Sequence, residues 1–336
     1  MTFSEASDNP IVYLTIVWKL IRTESDLIHI QYEYGVFGKY SLMSFIFFPL
    51  WWLSSEITNK TTMITIHEVI NADLITGRLK YIKTLYINIL NHIIGLSADQ
   101  LIFLSKLSKS QFKRFNHSGS TFYIPHGTST SPMSDLSQNE AKQKFGFDRD
   151  CFLIAEPGYV SKRKGSDYCL NIAGELTNCE FLIAGGPEDG EDYIFNKVSG
   201  ACENNIHVTG ELDKESFHDV FKAADLIFLP YREQVNRSFI NQVKQSGIFN
   251  WAMTYEKPVL ASDCDYFVSL ENEYGCLSTF PLECPGDAAD KITKIKKSRN
   301  LRDHLQNKAK QFKYDNSLQE VRGRHSKAYM ELLNSE

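Results

Sequence analysis

The sequence has little that suits a nucleic-acid-binding, disulfide-stabilised or zinc-binding protein. Its formal net charge is −5 over 336 residues, so it offers no global basic field to attract nucleic acid. The seven cysteines all lie from Cys151 onward, are odd in number and form no Cys-x-x-Cys pair. We therefore expect neither a disulfide framework nor a structural zinc site, and the pattern is typical of a reducing cytosol.

The sequence also lacks an obvious export or membrane-spanning segment. Residues 1–10 are polar and acidic, without the basic start and apolar run of an export signal. The most apolar run, residues 41–53 (SLMSFIFFPLWWL), is roughly 13 residues long, whereas a span needs about 20. Because Trp51 and Trp52 are costly to leave in water, we interpret it as a buried helix; the alternative is an interfacial contact, which would place a cytoplasmic protein peripherally at the inner membrane face.

Several common catalytic motifs are absent. No Gly-rich loop with Gly-Lys-Ser/Thr occurs, and no G-x-G-x-x-G follows the first strand pattern of either half, which argues against an ATPase and a dinucleotide-dependent dehydrogenase. No G-x-S-x-G elbow and no His/Cys cluster with metal-ligand spacing occur either. We therefore expect no cofactor and no bound metal.

What is present from about Cys151 onward is a regular alternation of strand and helix patterns. Six short segments are mostly apolar, and each ends in or is bounded by Gly, Pro or Asp. Continuous apolar runs of this length are typical of strands that are buried on both faces. The six segments are CFLIAEPG from Cys151, EFLIAGG from Glu180, NIHVTG from Asn205, DLIFLPY from Asp225, PVLASD from Pro258 and GCLSTF from Gly275. Helical patterns such as those from Asp167, Lys214 and Asp287 separate them, which predicts a doubly wound parallel α/β sheet.

The first part of the chain shows the same alternation in a shorter form. Its strand candidates are DLIHIQYE from Asp26, TTMITIHEV from Thr61, QLIFLSK from Gln100 and TFYIPHG from Thr121. We predict an incomplete N-terminal α/β domain over 1–135, a C-terminal α/β domain over 136–315, and a last helix within 316–336 that packs back on the N-terminal domain.

The segment GYVSKRKGSD, from Gly158, follows the first strand of the second domain and opens a helical pattern. A glycine turn, basic side chains and a helix N-terminus together suit an anionic phosphate. Lys162, Arg163, Lys164 and Gly165 are the candidate ligands. The alternative is a solvated basic turn.

A second segment of this kind follows Leu229, where a polar loop carries Arg232 and Arg237 and then enters a helix at Ser246-Gly247. Serine is a frequent helix N-cap, and glycine lets a ligand approach the backbone closely. The segment predicts a second anion-binding helix N-terminus on the same edge; an ordinary capped helix would explain the serine without the arginines.

Two histidines stand at the ends of predicted strands in the first part. His67 precedes Glu68 in TIHEV, and His126 precedes Gly127 in IPHGT. A histidine at a strand end can donate a hydrogen bond to a phosphate or sugar oxygen. A structural role is the alternative for each.

Taken together, these segments resemble the family 4 glycosyltransferases, retaining enzymes of the GT-B fold with two Rossmann-like domains facing a cleft. The matching segments, in the order of the family, are DLIHIQYEYGVFG, TIHEV, ADQLIFLSK, YIPHG, GYVSKRKGSD, FLIAGG, HVTGEL, ADLIFLPYR, QSG and KPVLASD. They cover most of the chain from Asp26 to about Phe280.

The resemblance implies a nucleotide-diphosphate-sugar donor held mostly by the C-terminal domain, and a glycan or lipid-linked acceptor on the N-terminal side, in surface polysaccharide biosynthesis. Lys164 matches the family's phosphate-contacting lysine, and the backbone amides of Ser246, Gly247 and Ile248 match the loop that receives the diphosphate. His67 matches the histidine near the transferred sugar. These groups would stabilise the leaving diphosphate without a metal, with Arg163 and Arg232 in support.

The sequence departs from the family at three places. Val243 and Trp251 stand where members often carry two glutamates, and Tyr159 stands where a basic residue is frequent. Roughly the first two βα units that the family carries before Asp26 are not found in this sequence, so we expect either a piece of a longer reading frame or an N-terminal sheet that a partner completes. Two other interpretations therefore stay open: a non-catalytic GT-B subunit that binds a glycan or a partner transferase, and a sugar-nucleotide epimerase, for which no convincing carboxylate pair is found.

Overall fold

The computed structural model describes residues 7–71, 75, 77–112, 119–201, 203–233, 243 and 245–334. The chain divides into two compact units, Met1–Pro125 with Val321–Glu336, and His126–Glu320. Residues 126–135 and 316–320 therefore belong to the second unit. The domain limits that the sequence indicates, 135/136 and 315/316, remain predictions. Arg237, a candidate from the second basic segment, lies outside the described residues. So do residues 1–6, the first part of the N-terminal stretch that lacks the features of an export signal.

The first unit contains a parallel sheet whose four strands are ordered as in the sequence, β1-β2-β3-β4. Its elements are α1 (Pro10–Ile21), β1 (Leu27–Tyr32), a 3-10 turn (Lys39–Ser41), α2 (Ser44–Thr58), β2 (Thr61–Ile66), α3 (Lys80–Leu96), β3 (Gln100–Phe103), α4 (Lys106–Phe112), β4 (Ser120–Tyr123) and nearly all of the last helix, Leu318–Leu333. Successive right-handed crossovers in one direction place α2 and α3 on the same face of this sheet.

The last helix packs against the other face. Ala328 and Leu332 form an apolar cluster with Met63 of β2, Ile102 of β3 and Ile124. All six residues of β2 are buried, as expected for a strand with helices on both faces.

The apolar run 41–53 enters α2, and the structure divides it between two environments. Phe47, Phe48 and Trp51 are buried, and Trp51 Nε1 donates a hydrogen bond to Thr62 Oγ1 at 3.0 Å. Trp52 remains 44% exposed. The interpretation as a buried helix is correct for one face only, because a helix on a sheet turns its other face outward.

The second unit contains a six-stranded parallel sheet in the order β10-β9-β8-β5-β6-β7. Its elements are α5 (Gln138–Lys144), β5 (Phe152–Pro157), 3-10 turns at Ser166–Asn171 and Ala173–Glu175, β6 (Cys179–Ala184), α6 (Asp192–Ser199), β7 (Ile206–Val208), α7 (Lys214–Ala223), β8 (Leu226–Leu229), α8 (Gly247–Thr254), β9 (Val259–Ser262), α9 (Asp265–Tyr274), β10 (Ser278–Phe280), α10 (Pro285–Lys297) and α11 (Arg299–Asp315). The strand order reverses between β5 and β8, which confirms the predicted doubly wound sheet.

Two apolar cores explain why the inner strands of this sheet, β5, β6, β8 and β9, are largely apolar. Leu153 and Ala155 of β5 join the core on one face, while Phe152 and Ile154 join the core on the other. Because successive side chains of a strand point to opposite faces, a strand covered on both sides needs apolar residues throughout. All ten predicted strands are present.

One helix differs from its prediction. The segment from Asp167, predicted as a helix, forms the two 3-10 turns Ser166–Asn171 and Ala173–Glu175. Ser166 Oγ donates to Glu156 Oε1 at 2.7 Å, and Cys169 Sγ lies 3.7 Å from Glu156 Oε2. A 3-10 turn aligns residues three apart, so both side chains reach the one buried carboxyl group.

Candidate functional site

The candidate site lies at the carboxyl edge of the second sheet, where the strand order reverses. β5 ends at Pro157 and β8 at Leu229, and the two strands are neighbours in the sheet. In open parallel sheets, ligands bind in the crevice outside the carboxyl ends of the strands at such a reversal. The two segments singled out from the sequence, those that follow Gly158 and Leu229, therefore meet at this edge.

Residues 158–165 after β5, with Lys162, Arg163 and Lys164, are here called the basic turn. Gly165 allows this turn to pack directly against the end of β8. Its φ is +76°, and a Cβ atom there would lie 1.9 Å from the carbonyl oxygen of Pro230. Arg232 N also donates a hydrogen bond to Arg163 O at 2.8 Å. Only glycine fits both the left-handed backbone and the close approach, so this residue fixes the turn relative to β8.

Lys164, Tyr231 and Ser246 form the centre of the site. Lys164 Nζ donates a hydrogen bond to Tyr231 Oη at 2.5 Å, and Tyr231 Oη lies 3.2 Å from Ser246 Oγ. Tyr231 is only 2% exposed. One hydroxyl therefore connects the basic turn after β5 with the start of α8.

Ser246 caps α8 as the sequence indicated. Its Oγ accepts a hydrogen bond from Phe249 N at 3.2 Å. The first amides of a helix, which include those of Gly247 and Ile248, have no acceptor within the helix, and the helix dipole is positive at that end. Lys164 and the start of α8 thus combine a side-chain cation with an anion-favouring helix N-terminus.

The two arginines assigned to the phosphate are engaged by carboxylates. Arg163 Nη2 lies 3.2 Å from Glu188 Oε1 in an exposed pair, of a kind that contributes little to stability. Arg232 Nη1 lies 2.5 Å from Asp167 Oδ1, and Asp167 also pairs with Lys197 at 3.0 Å. Burial raises the pKa of Asp167, but the hydrogen bonds from Arg232 and Lys197 outweigh it and hold the pKa below its usual value. The structure therefore places Arg232 as a support of the basic turn.

Tyr231 and Glu156 belong to the site but are not among the residues that the sequence motifs single out. The signal for Tyr231 was available in the Pro-Tyr-Arg that directly follows β8. The signal for Glu156 was a lone carboxyl group inside an otherwise apolar strand. Both depend on partners distant in sequence, so their roles are visible only in the fold.

Glu156 is a buried carboxyl group at the end of β5. Burial raises its pKa to about 7, and the hydrogen bond from Ser166 and the charge of Lys164 offset this only in part. Ser166 Oγ in turn accepts from Ser161 N at 3.2 Å, and Ser161 Oγ accepts from Lys164 N at 3.2 Å. Glu156 is thereby connected to the backbone of the basic turn through two serine hydroxyls.

We expect Glu156→Gln to remove a pH dependence of stability. The folded-state pKa lies above the ordinary value of 4.5, so the contribution is fully present below about pH 4.5 and is lost as pH rises to about 7. The loss is about 3 kcal/mol of unfolding free energy. Glutamine keeps an acceptor for Ser166 and cannot ionise, so the melting temperature of the variant relative to wild type should rise between pH 5 and 8. Glu188→Gln is the control, since the pKa of Glu188 is lowered; equal melting profiles for Glu156→Gln and wild type over this range would contradict the assignment.

The remaining candidates lie at other places in the chain. His67 and Glu68 follow β2 in the first unit, where His67 Nε2 lies 3.0 Å from Gln31 Oε1 and burial lowers the His67 pKa. His126 is half-buried at the start of the second unit. Gly127 next to it packs closely on Leu318, since a Cβ atom there would lie 2.6 Å from Leu318 Cδ2.

Val243 and Trp251 stand at the two positions where family 4 glycosyltransferases often carry glutamate, and both side chains pack against neighbouring residues. Val243 is buried, and the Trp251 ring packs edge-on against His218 with 4.5 Å between ring centroids. The carboxylate of Glu233 lies beside the first position, where its Oε1 accepts from Val243 N at 3.0 Å. In the part of the chain that the structure describes, no group of three or more His, Cys, Asp or Glu residues is placed to hold a metal ion.

The two parallel α/β sheets, the second with its reversed strand order, give the chain the GT-B fold of the solved structures described below. The chain belongs to the family described as Glycosyl transferases group 1, whose model matches residues 137–312. That stretch contains every residue of the cluster around Lys164.

Individual relatives are more distant. Alpha-galactosylglucosyldiacylglycerol synthase of Streptococcus pneumoniae (strain ATCC BAA-255 / R6) is 27% identical over 162 residues, which are 45% of this chain and only 40% of that protein. Sucrose-phosphate synthase from Thermosynechococcus elongatus superposes with a TM-score of 0.74 at 14% identity, over 97% of this chain and 78% of that one. Anabaena Alr3699/HepE in complex with UDP gives 0.75 at 13% identity, over 96% and 82%.

Proposed function

We propose that the protein transfers a sugar, with retention, from a nucleotide-diphosphate-sugar donor to a glycan or lipid-linked acceptor. The observation that carries the proposal is the cluster of Lys164, Tyr231 and Ser246 at the reversal of a doubly wound sheet. The structures of Alr3699/HepE with UDP and with UDP-glucose support a nucleotide-sugar donor. The name of the pneumococcal relative, a glycosyldiacylglycerol synthase, supports a lipid-linked acceptor.

In the proposed reaction the bond between the sugar and the diphosphate breaks, and an acceptor hydroxyl oxygen forms the new bond to the same sugar carbon. The proton of that hydroxyl leaves with the diphosphate, on which negative charge develops. Lys164 Nζ and the amides at residues 246–248 would stabilise that charge, and groups that bind the transition state more strongly than the substrate accelerate the step. Tyr231 would hold the Lys164 ammonium group, while Arg163 and Arg232 would support the turn. His67 would contact the reacting sugar. No step of this scheme requires a metal ion or a cofactor.

The setting of the reaction is part of the same proposal. We place it in surface polysaccharide biosynthesis, on the cytoplasmic side, with a peripheral contact of residues 41–53 at the inner membrane face. The exposed half of α2 supports such a contact.

The first test is calorimetric titration of the purified chain with UDP and with GDP. Binding of one of them identifies the base of the donor, and the anomeric configuration of the product, followed by NMR with the matching nucleotide sugar, tests retention. Absence of binding by a folded protein would contradict the proposal.

Tyr231→Phe should weaken binding of the diphosphate while leaving the fold intact. Phenylalanine keeps the buried ring and removes the hydroxyl between Lys164 and Ser246, so the ammonium group loses its acceptor. We expect the dissociation constant for the bound nucleotide to rise about three- to tenfold, from the loss of one hydrogen bond. Tyr266→Phe, which alters another buried tyrosine of the same core, is the matched control. An unchanged dissociation constant for Tyr231→Phe would remove Tyr231 from the site.

A non-catalytic GT-B subunit that binds a glycan or a partner transferase is the second candidate. The apolar contacts of Val243 and Trp251, at the places of the two frequent glutamates, favour it. Nucleotide binding without turnover, with a panel of nucleotide sugars and acceptors, would support this candidate over transfer.

A further inference from the structure

Three helices of the first unit carry an apolar stripe on the side that faces solvent. In α1, Trp18 is 52% exposed, and in α2, Ile57 is 76% exposed. Trp52 and Tyr81 aside, the exposed apolar residues of the three helices, here called the outer face, are Ile11, Leu14, Trp18, Ile21, Leu50, Leu53, Ile57, Ile82, Leu85, Ile89 and Leu96. On each helix they recur at spacings of mostly three or four residues, which puts them on one side.

The opposite sides of the same helices are buried. Tyr13 and Val17 of α1, Trp51 of α2, and Leu90 and Ile94 of α3 point into the unit. α1 packs on α2, and α2 packs on α3, so the helices form one layer. The outer face is therefore a second apolar surface in addition to the one that packs the core, and a surface this rich in apolar groups is unusual unless it binds something.

The charges around the outer face have one predominant sign. Residues 9–23 contain Lys19 and Arg22 and no Asp or Glu, and residues 77–98 contain Arg78, Lys80 and Lys83 and no Asp or Glu. Residues 44–58 of α2 contain one charged residue, Glu56, so the three stretches hold five basic residues and one acidic residue. The chain as a whole carries −5. Basic side chains beside apolar ones are typical of helices that lie on an anionic lipid surface.

The aromatic residues support the same partner. The Arg22 guanidinium lies 4.1 Å from the ring centre of Trp18, and tryptophan and tyrosine are enriched where a membrane meets water. A second copy of the chain is a poorer partner, because a symmetric contact would bring like charges of the same helices together. None of the described helices is long and apolar enough to cross a membrane.

We infer that the outer face of α1, α2 and α3 is a docking surface for an anionic lipid bilayer. The apolar stripes would enter the boundary between headgroups and acyl chains, and the basic side chains at both flanks would contact the headgroups. This inference rests on the proposed peripheral position of the protein and is independent of glycosyl transfer.

The test is co-sedimentation of the full chain with vesicles of phosphatidylcholine alone and of phosphatidylcholine with 30% phosphatidylglycerol. We expect binding to the anionic vesicles, at least tenfold weaker binding to the neutral ones, and a strong decrease in 0.5 M salt. The double variant Trp18→Gln/Leu85→Gln should lower the partition coefficient at least tenfold. The double variant Arg78→Gln/Lys80→Gln should lower the preference for anionic lipid at least about fivefold, since each basic residue near an anionic surface contributes about 1 kcal/mol.

The matched control is Tyr193→Gln/Met330→Gln, which removes two side chains that are 55% and 60% exposed outside the outer face and should bind vesicles as wild type does. UDP titration of every variant separates docking from the donor site. Equal vesicle binding by all variants, or no vesicle binding by a wild type that binds UDP, would overturn the inference and leave the proposed transfer intact. A dimer that Trp18→Gln/Leu85→Gln converts to a monomer, without vesicle binding, would assign the outer face to a second copy.

Discussion

Lys164→Ala is expected to lower the affinity for the nucleoside diphosphate roughly ten- to hundredfold. The ammonium group is the side-chain cation of the Lys164, Tyr231 and Ser246 cluster, and a hydrogen bond to a charged group contributes about 1.5–3 kcal/mol. Turnover should fall further, by about a hundred- to thousandfold, because charge on the diphosphate is largest in the transition state. Calorimetry and initial rates with the matching nucleotide sugar measure the two effects.

The neighbouring Lys162 provides the control for this substitution. Lys162 lies exposed on the same turn, so Lys162→Ala removes the same charge from the same loop without touching Tyr231. We expect a change in affinity of less than about threefold, as for a solvent-screened charge. Equal losses in the two variants would show that the loop acts only through its overall charge, and Lys164 would lose its specific role.

Gly165→Ala is expected to have the largest effect on stability. A Cβ atom there would lie 1.9 Å from Pro230 O and 2.8 Å from Pro230 C, in a backbone with φ of +76°. Backbone atoms cannot move aside as a flexible side chain does, so the turn must separate from the end of β8. We expect a loss of more than about 3 kcal/mol of unfolding free energy, or roughly 10 °C in melting temperature for a unit of this size, together with loss of nucleotide binding.

Two other glycines provide controls that distinguish the effect of the steric clash at Gly165 from the effect of its left-handed backbone conformation. Gly190 has a φ of +77° with nothing within 4 Å of an added Cβ atom, and Gly174 has open space and no left-handed φ. Gly190→Ala should therefore cost only about 1 kcal/mol, and Gly174→Ala should be nearly neutral. If Gly165→Ala unfolds no more readily than Gly190→Ala, the close packing of the basic turn on β8 is not what holds the site together.

The elements predicted most reliably were those whose pattern is local. The inner strands of the second sheet, β5, β6, β8 and β9, are apolar runs because they have a core on both faces, and that requirement is visible without knowing which strand lies beside which. The N-cap at Ser246 is equally local, since its hydroxyl accepts from an amide three residues later. The first 3-10 turn after Gly165 is not visible in the local pattern, because the buried carboxyl group that Ser166 contacts, that of Glu156, lies in the preceding strand.

The sequence by itself determined the parallel α/β class, the doubly wound second sheet and the positions of Lys164 and Ser246 at strand and helix ends, because these follow from the periodicity of apolar residues and from turn chemistry over a few residues. Only the tertiary structure decided that Tyr231 connects those two residues, that Asp167 engages Arg232, that Glu156 is buried, and that the apolar residues of α1 to α3 divide between a core and an outer face. Each of these depends on which side chains meet across long separations in the chain. These long-range contacts are determined by how whole helices and strands pack, because the sequence of one segment does not specify which other segment it will contact.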